Sequence, residues 1–482
     1  MEDNRKLLAK NSFFNVIYRL MNILFPLITS MYIARILLPE KIGIISAAQN
    51  IASYFTLFAS MGIPVYGTSF IAQIKKDTKN FSKSFMEIFL INCVLSLIST
   101  VIYYNLILFI PYFSDRRLIY CLTGIPLILN IFNVDWLYQG IQEYAYITIR
   151  SFFVKCLLLV MLFAFVHDTN DYIIYILINL IAQSGNYLFN IYRLQNYIKL
   201  TLNNLQFKKH LIHIFSLFMA SIAAEIYVLA DVTMLDIMTN STSVGFYTMG
   251  TKIIGIFKGL VTAVTTAFLP QLSEYYINKE YTPFSKLINN GLQFIFSISI
   301  PIIIGLILCV DDAIFVVYGK NYSLSVGVTK ILSVSILSVA LSNFIGLQIL
   351  VILGKEKITT LSTTVGAISN ICLNYFLIKL LGIIGAAVAS VIAEICVTSI
   401  QIIFVKKFVD FKVKFSKVLC ATFMMAIIII PIHNIKIILV IRLLIECILG
   451  LAVYSGVLIL LKDEFAIKVI TFINKQLIKK KY

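Results

Sequence analysis

The chain of 482 residues is 60% hydrophobic and only 13% charged. Soluble domains carry about 25% charged residues, so this composition excludes a water-soluble globular protein and is typical of membrane proteins. The formal net charge of +17 does not indicate nucleic-acid binding, because Lys and Arg are concentrated in alternate connectors, which is a signal of membrane topology.

Apolar segments near the roughly 20 residues that a spanning helix needs recur along the whole chain. We predict an all-α polytopic membrane protein with about fourteen transmembrane helices. The first segment is longer than a signal-peptide core and lacks a small-residue cleavage site, so it is predicted to span. The predicted spans are 12–34, 42–63, 85–110, 118–139, 151–167, 172–193, 211–237, 244–269, 291–311, 328–353, 358–380, 383–405, 416–432 and 437–461.

The basic residues predict the orientation of these spans. With fourteen spans both termini lie on one side, and the connectors and span ends on that side contain 28 of the 40 Lys and Arg residues. Nine lie on the other side, and three lie deeper inside spans. By the positive-inside rule, both termini are expected in the cytoplasm.

A weak internal repeat predicts the domain organisation. Gly43-Ile44-Ile45 opens the second span and Gly245-Phe246-Tyr247 opens the eighth. We therefore expect an N-terminal six-helix lobe at 1–195, a C-terminal six-helix lobe at 205–407, and two appended helices with a basic cytoplasmic tail at 411–482. Repeats of six spans insert in parallel, which places the substrate path between the lobes.

An ionisable side chain at the centre of a span raises the free energy of membrane insertion by about 2.5–3.5 kcal/mol on insertion scales. Each such residue therefore requires a structural or functional reason. They include Arg19, Glu225, Asp231, Lys252, Lys258 and Glu394. Asp231 and Lys252 fall at similar depths and are predicted to form an ion pair, while Glu225 and Glu394 are candidates for ion coupling or structural pairing. Arg19 and Lys258 have no acidic neighbour one turn away and are predicted to line a central cavity.

Uncharged polar residues form a stripe on the second span. Ser46, Gln49, Asn50 and Ser53 have helical spacing, which indicates a face that avoids lipid. Gln49 and Asn50 are candidate substrate ligands, and the alternative is that they hydrogen-bond a neighbouring helix. Glu446, in the last span, is expected to be structural.

Motifs for metal, nucleotide or hydrolytic chemistry are not found. His210 and His213 are three residues apart but lack a third ligand, so they are expected at the membrane interface. The eight cysteines have no C-x-x-C spacing and are expected to pack as small apolar residues. The sequence contains no Walker A loop, nucleophile elbow or H-E-x-x-H motif. We therefore expect no metal, no cofactor and no enzymatic activity.

A longer motif begins at Asp135-Trp136-Leu137-Tyr138-Gln139-Gly140 and ends at Tyr146-Ile147-Thr148-Ile149-Arg150. It resembles the D-W-x-x-Q-G-x-E and Y-I-T-x-R sequences of Wzx-type oligosaccharide flippases, the polysaccharide branch of the multidrug/oligosaccharidyl-lipid/polysaccharide exporter superfamily. Gln142 replaces the usual acid, and Asp236 stands where the family commonly has Gly. Other similar stretches follow in the same order at 269–273, 318–322 and 382–387.

This resemblance implies a MATE-like fold of two lobes around a cavity that is often cationic. It also implies translocation of undecaprenyl-diphosphate-linked oligosaccharide across the bacterial cytoplasmic membrane for O-antigen or capsule synthesis. The implied partners are this polyprenyl-diphosphate-linked glycan, membrane lipid, and a polysaccharide polymerase with its co-polymerase, without nucleic acid.

The same interpretation gives roles to particular residues. Arg19, Lys252 and Lys258, with Gln49 and Asn50, are expected to bind the substrate. Asp135, Gln139 and Arg150 are expected at the cytoplasmic entrance, with Gln142 on the same face if the helix continues. Trp136 is expected to be an interfacial anchor.

Three other functions stay open. A multidrug antiporter of the same superfamily would need acidic cavity residues, and Glu225 or Asp231 could serve. A lipid II flippase would share the span count. A membrane polymerase or ligase usually needs a large outer loop, whereas the longest predicted outer connector has about 17 residues.

Overall fold

The structure of the protein is a computed structural model. It describes residues 2–75, 78–199, 201, 203–463 and 467. Within these ranges the side chains of residues 2–13, 15, 16, 19, 23, 78, 79, 220, 221, 223 and 224 lie outside the description. The described residues are almost entirely helical and include no β-strand. The predicted all-α class is therefore confirmed.

The chain divides into two compact units, Met1–Gly245 and Phe246–Tyr482. The first unit contains α1 (Glu2–Ile36), α2 (Pro39–Ser60), α3 (Ile63–Ile74), α4 (Thr78–Phe109), α5 (Arg117–Leu129), α6 (Asp135–Gly140), α7 (Tyr144–Phe165), α8 (Tyr172–Leu194), α9 (Lys208–Met238) and the beginning of α10 (Ser241–Thr265).

The second unit contains the rest of α10 and the helices that follow it. These are α11 (Leu269–Ile277), α12 (Tyr281–Val317), α13 (Leu324–Ser333), α14 (Ser335–Phe344), α15 (Leu350–Ile352), α16 (Glu356–Leu381), α17 (Ile383–Val405), α18 (Ser416–His433) and α19 (Leu439–Leu460). A π-helical turn, Ile345–Ile349, joins α14 to α15.

Eleven helical stretches among the described residues are long and apolar enough to cross a membrane. They coincide with eleven of the predicted spans. The first, fourth and seventh predicted spans coincide with α1, α5 and α9. The protein is therefore a multi-pass membrane protein, and its helices follow the predicted order.

Helix breaks fall near the ends of two predicted spans. The second continues past Ser60 as α3, after a break at Met61, whose φ of 41° is left-handed. The fourth span was predicted to reach residue 139, but α5 ends at Leu129, and α6 begins anew at Asp135. Hydropathy cannot detect these breaks because apolar residues continue on both sides.

The first unit is built around α2, which packs against α4, α5 and α9. Gly43 on α2 lies at a close helix crossing, because a Cβ atom there would stand 1.6 Å from the carbonyl oxygen of Ser241. An aromatic and aliphatic core that includes Phe85, Trp136 and Tyr138 fills the space between α3, α4 and α6.

In the second unit the helix pairs α16–α17 and α18–α19 pack closely, and α12 contacts both α18 and α19. Small residues permit the approach of α17 to α16, because a Cβ atom on Gly385 would stand 2.0 Å from the carbonyl oxygen of Leu377. The observed unit boundary lies inside α10 instead of in the linker near residue 200. The three lobe limits predicted from the sequence stay a prediction.

Candidate functional site

A polar cavity of about 190 Å³ lies between α2, α5 and α8 of the first unit. Its hydrogen-bonding side chains are all uncharged: Gln49, Ser53 and Thr56 from α2, Thr123 from α5, and Asn179 and Gln183 from α8. Positions 49, 53 and 56 share one face of α2 because residues three and four apart are neighbours on a helix. Such a lining can both donate hydrogen bonds to hydroxyl groups and accept them.

The predicted polar stripe on α2 divides between two environments. Gln49 lines the cavity, whereas the next residue, Asn50, is only 8% exposed and faces α9. The Asn50 amide nitrogen donates to the carbonyl oxygen of Leu229 and to the hydroxyl of Thr233, each at 2.8 Å. Asn50 therefore joins two helices, which is the alternative that the sequence left open.

The second unit brings Lys258 and Glu394 together. The Lys258 ammonium lies 3.9 Å from the Glu394 carboxylate, and Glu394 is buried on α17. Lys258 has no acidic residue one turn away on α10, and Glu394 lies on a helix that is distant in sequence. The sequence therefore did not predict this pairing. The same two helices are also joined by Tyr247 and Ser390, whose hydroxyls are 3.1 Å apart.

The remaining ionisable residues are distributed over three helices. Asp231 on α9 is 6% exposed, and Glu225 on the same helix is exposed. Lys252 is half-buried on α10. Asp231 belongs to the first unit and Lys252 to the second, so their predicted ion pair stays a prediction. The Arg19 side chain lies outside the described residues.

The two ends of the Asp135–Arg150 motif meet in a buried polar cluster. An Arg150 guanidinium nitrogen donates to the Asp135 carboxylate at 2.9 Å, and Arg150 is only 4% exposed. The same guanidinium bonds Asn186 at 3.1 Å and also Asn190, whose own amide donates to Asp135 at 2.8 Å. This network ties α6 to α7 and α8.

Asp135 and Gln139 also line a second cavity of the first unit, of about 210 Å³. Gln142 does not share their face, because α6 ends at Gly140 and Gln142 has a left-handed φ of 66°. Trp136 is not an interfacial anchor as predicted. It is 2% exposed and stacks on Phe85.

Sequence inspection missed the partner of His210. This side chain is fully buried, and its Nε2 lies 2.8 Å from the buried Glu87 carboxylate. Its Nδ1 lies 2.7 Å from the Tyr66 hydroxyl. His210 is therefore packed inside the protein, and its predicted depth at the membrane interface stays a prediction. A buried acid on α4 and a histidine on α9 are far apart in sequence, so spacing carried no signal.

Asp236 stands where the family commonly has Gly, and it contacts residues of the connector between α4 and α5 in the first unit. The Tyr112 hydroxyl donates to it at 2.6 Å, and Arg116 lies 3.7 Å away. Burial and the hydrogen bond to Asp236 raise the pKa of Tyr112. In the second unit, Asp312, His433 and Glu446 are close enough together to be considered as metal ligands.

Comparisons with known proteins agree with this architecture. The chain is 24% identical to a protein of Escherichia coli (strain K12) named as an O-antigen transporter, over 84% of this chain and 98% of that protein. The structure resembles that of the lipid II flippase MurJ in an inward closed conformation, with a TM-score of 0.77, 16% identity, and coverage of 94% of this chain and 99% of MurJ.

An inward-facing multidrug resistance transporter of the MATE family is also similar, with a TM-score of 0.64 and 13% identity, over 82% of this chain and 97% of that one. At such identities these likenesses establish the fold, and they confirm the predicted MATE-like architecture. The family model described as polysaccharide biosynthesis protein matches residues 8–276. The resemblance to Wzx-type flippases is thereby confirmed, and the chain belongs to the polysaccharide biosynthesis protein family.

Proposed function

We propose that this protein moves an undecaprenyl-diphosphate-linked oligosaccharide from the inner to the outer leaflet of the bacterial cytoplasmic membrane, for assembly of a surface polysaccharide. The observation that carries the proposal is the uncharged, hydrogen-bonding cavity between α2, α5 and α8. Family membership and the transporter names of the relatives support a transport function. We infer transport without an enzymatic step.

The chemistry of the cavity fits a sugar. A glycan presents many hydroxyl groups that both donate and accept, and the Gln49, Asn179 and Gln183 amides can do the same. A cavity for cationic drugs would instead need carboxylates to offset the charge of the ligand. The cavity lining has none among the described residues.

The diphosphate is negatively charged and needs compensating positive charge within the membrane. The candidate residues are Arg19, Lys252 and Lys258. Lys258 and Glu394 are 3.9 Å apart, which is long for an ion pair. A diphosphate carries more negative charge than one carboxylate, so it could compete with Glu394 for Lys258. The lipid tail would stay in the bilayer while the two predicted lobes alternate access to the headgroup.

Reconstitution tests this proposal directly. Proteoliposomes would contain a short-chain polyprenyl diphosphate that carries a fluorescent oligosaccharide, loaded in both leaflets. A glycosidase added outside then digests only the outer pool. We expect digestion to approach completion with the protein and to stop near half without it. Equal plateaus with and without the protein would contradict the proposed flippase.

The same vesicles separate the alternatives. A cationic dye replaces the glycolipid to test multidrug transport, and lipid II replaces it to test that branch. Dye accumulation that needs Glu225 or Asp231, without glycolipid movement, would favour the antiporter. Movement of lipid II in preference to the oligosaccharide would favour the lipid II flippase.

A further inference from the structure

Three side chains that can bind a metal ion meet in the interior of the second unit, where α18 and α19 pack on α12. Asp312 lies on α12, His433 in the last turn of α18, and Glu446 on α19. Each contributes one donor atom, and the three atoms all lie within 4.8 Å of one another. No metal was expected from the sequence, because Asp312 is far along the chain from the other two residues.

The two acids of this cluster are buried, whereas the histidine reaches the surface. Asp312 is 2% exposed and Glu446 is fully buried, but the His433 side chain keeps 31% exposure and gives an ion a way in. The Oε2 atom of Glu446 has no hydrogen-bond partner among the described residues. Cys309, whose thiol is only a weak donor, lies beside the same carboxylate. A buried carboxylate that lacks a strong partner indicates a missing ligand, because such burial is costly.

The distances within the cluster fit a divalent ion with tetrahedral coordination. The His433 Nδ1 atom lies 3.0 Å from Glu446 Oε1 and 3.9 Å from Asp312 Oδ2. Zn²⁺ binds histidine nitrogen and carboxylate oxygen at about 2.0–2.2 Å, which places tetrahedral ligand atoms about 3.4 Å apart. The two observed distances lie on either side of this value. Small rotations of the three side chains would therefore complete the site, and the ion would replace the contact between His433 and Glu446.

Arg442 on α19 orients two of the three ligands without occupying the site. It donates to both oxygens of Asp312 at 2.5 Å, and another of its nitrogens donates to the carbonyl oxygen of His433 at 3.0 Å. A carboxylate offers about four lone-pair positions, so Asp312 can still bind an ion. Hydrogen bonds of this kind are common around protein-bound metals, because they fix the orientation of the ligands. Arg442 is therefore a positioning residue of the site.

We propose that Asp312, His433 and Glu446 bind a divalent transition-metal ion such as Zn²⁺. Arg442 hydrogen-bonds Asp312 and leaves the charge of the buried Glu446 to another cation, which the ion supplies. One imidazole with two carboxylates suits Zn²⁺, whereas Mg²⁺ and Ca²⁺ prefer oxygen ligands alone. Three protein ligands leave a fourth position for water.

The bound ion would join three helices of the second unit. Its ligands come from α12, α18 and α19, so an ion that binds only the folded chain fixes the α18–α19 pair on α12 and stabilises this packing. The site is separate from the cavity between α2, α5 and α8 of the first unit. The metal proposal therefore does not depend on the proposed transport function.

The test measures Zn²⁺ binding by the full-length protein in lipid nanodiscs, after any polyhistidine tag is cleaved and bound metal is removed with a chelator. Isothermal titration calorimetry should give one Zn²⁺ per chain, without competition from millimolar Mg²⁺ or Ca²⁺. Zn²⁺ should also raise the melting temperature. X-ray absorption should show nitrogen and oxygen ligands at about 2.0–2.2 Å.

Variants identify the ligands. His433→Gln and Glu446→Gln should each weaken Zn²⁺ binding at least about tenfold and remove the rise in melting temperature. His167→Gln is the matched control, because His167 is an exposed histidine beside Asp171 in the first unit, and this variant should bind Zn²⁺ like the wild type. If Glu446→Gln does not fold, His433→Gln decides alone, since the His433 side chain is partly exposed.

Three results would overturn the proposal. The first is a wild-type protein that does not bind Zn²⁺ stoichiometrically. The second is full-strength binding by either ligand variant, or a loss that His167→Gln reproduces. The third is a sulfur ligand at about 2.3 Å in the X-ray absorption spectrum, because it would indicate binding at a cysteine such as Cys309 instead of the three assigned residues.

Discussion

Arg150 and Asp135 bond each other at 2.9 Å, so the first and last residues of the motif that resembles Wzx-type flippases are partners in the fold. Arg150 is almost completely buried, and Asn190 bridges the pair. The motif therefore joins three helices of the first unit. The expected role of Asp135 and Arg150 at an entrance for the headgroup stays a prediction, and their mutual contact favours a structural role.

A double-mutant cycle tests that structural role. Arg150→Gln leaves Asp135 without its cation, and breaking a buried pair costs about 3–5 kcal/mol. We expect the lower end of this range because the Asp135 side chain keeps 26% exposure. The Arg150→Gln/Asp135→Asn double variant should be milder. The measurement is thermal unfolding of the purified variants, and additive losses would contradict a shared interaction.

Adjacent residues on α2 should differ in what their substitution disturbs. Gln49→Leu removes a hydrogen-bonding group from the cavity and should reduce glycolipid transport while the melting temperature changes little. Asn50→Leu removes the bonds to α9 and should destabilise the protein by about 1–3 kcal/mol. Transport in proteoliposomes and thermal unfolding are measured for both. Normal transport by Gln49→Leu would remove this cavity from the proposed substrate path.

The close crossing at Gly43 predicts a large effect of one methyl group. A Cβ atom there would stand 1.6 Å from the Ser241 carbonyl oxygen, so Gly43→Ala must push α2 and α10 apart. We expect a loss of at least about 1–3 kcal/mol, as for overpacked cores. Gly255→Ala on α10 is the matched control, because a Cβ atom there meets nothing within 4 Å. Equal unfolding temperatures of the two variants would contradict the crossing.

Single and double variants of Lys258 and Glu394 distinguish substrate binding by Lys258 from mutual charge compensation of the two residues. If Lys258 binds the diphosphate, Lys258→Gln should abolish transport, and adding Glu394→Gln should not restore it. If the two residues only compensate each other, the double variant should recover the activity that either single variant loses. Initial rates of glycolipid transport are compared at equal amounts of reconstituted protein. Full transport by Lys258→Gln would exclude this lysine from the proposed mechanism.

The asymmetry of basic residues predicts the orientation in the membrane. Reporter fusions after Lys209 and after Lys417 should both be active in the cytoplasm, because each position follows an even number of predicted spans. The first fusion is the more informative, since it tests the parity of the first six spans. An extracytoplasmic signal at either position would overturn the predicted topology.

The sequence by itself determined the fold class and the course of the chain. Apolar segments of bilayer length must become helices, because backbone groups in hydrocarbon have no other hydrogen-bond partners. The motif from Asp135 to Arg150 identified the family, since it depends on residue order alone. The spacing on α2 also indicated that Gln49 avoids lipid, and this residue does line the cavity.

Only the tertiary structure decided which polar residues meet. Lys258 with Glu394 and His210 with Glu87 each combine helices that are distant in sequence. Helical periodicity states which face of one helix is polar, but it does not state which helix lies opposite. The helix crossings fix that choice, and they bring Lys258 and Glu394 together from separate helices.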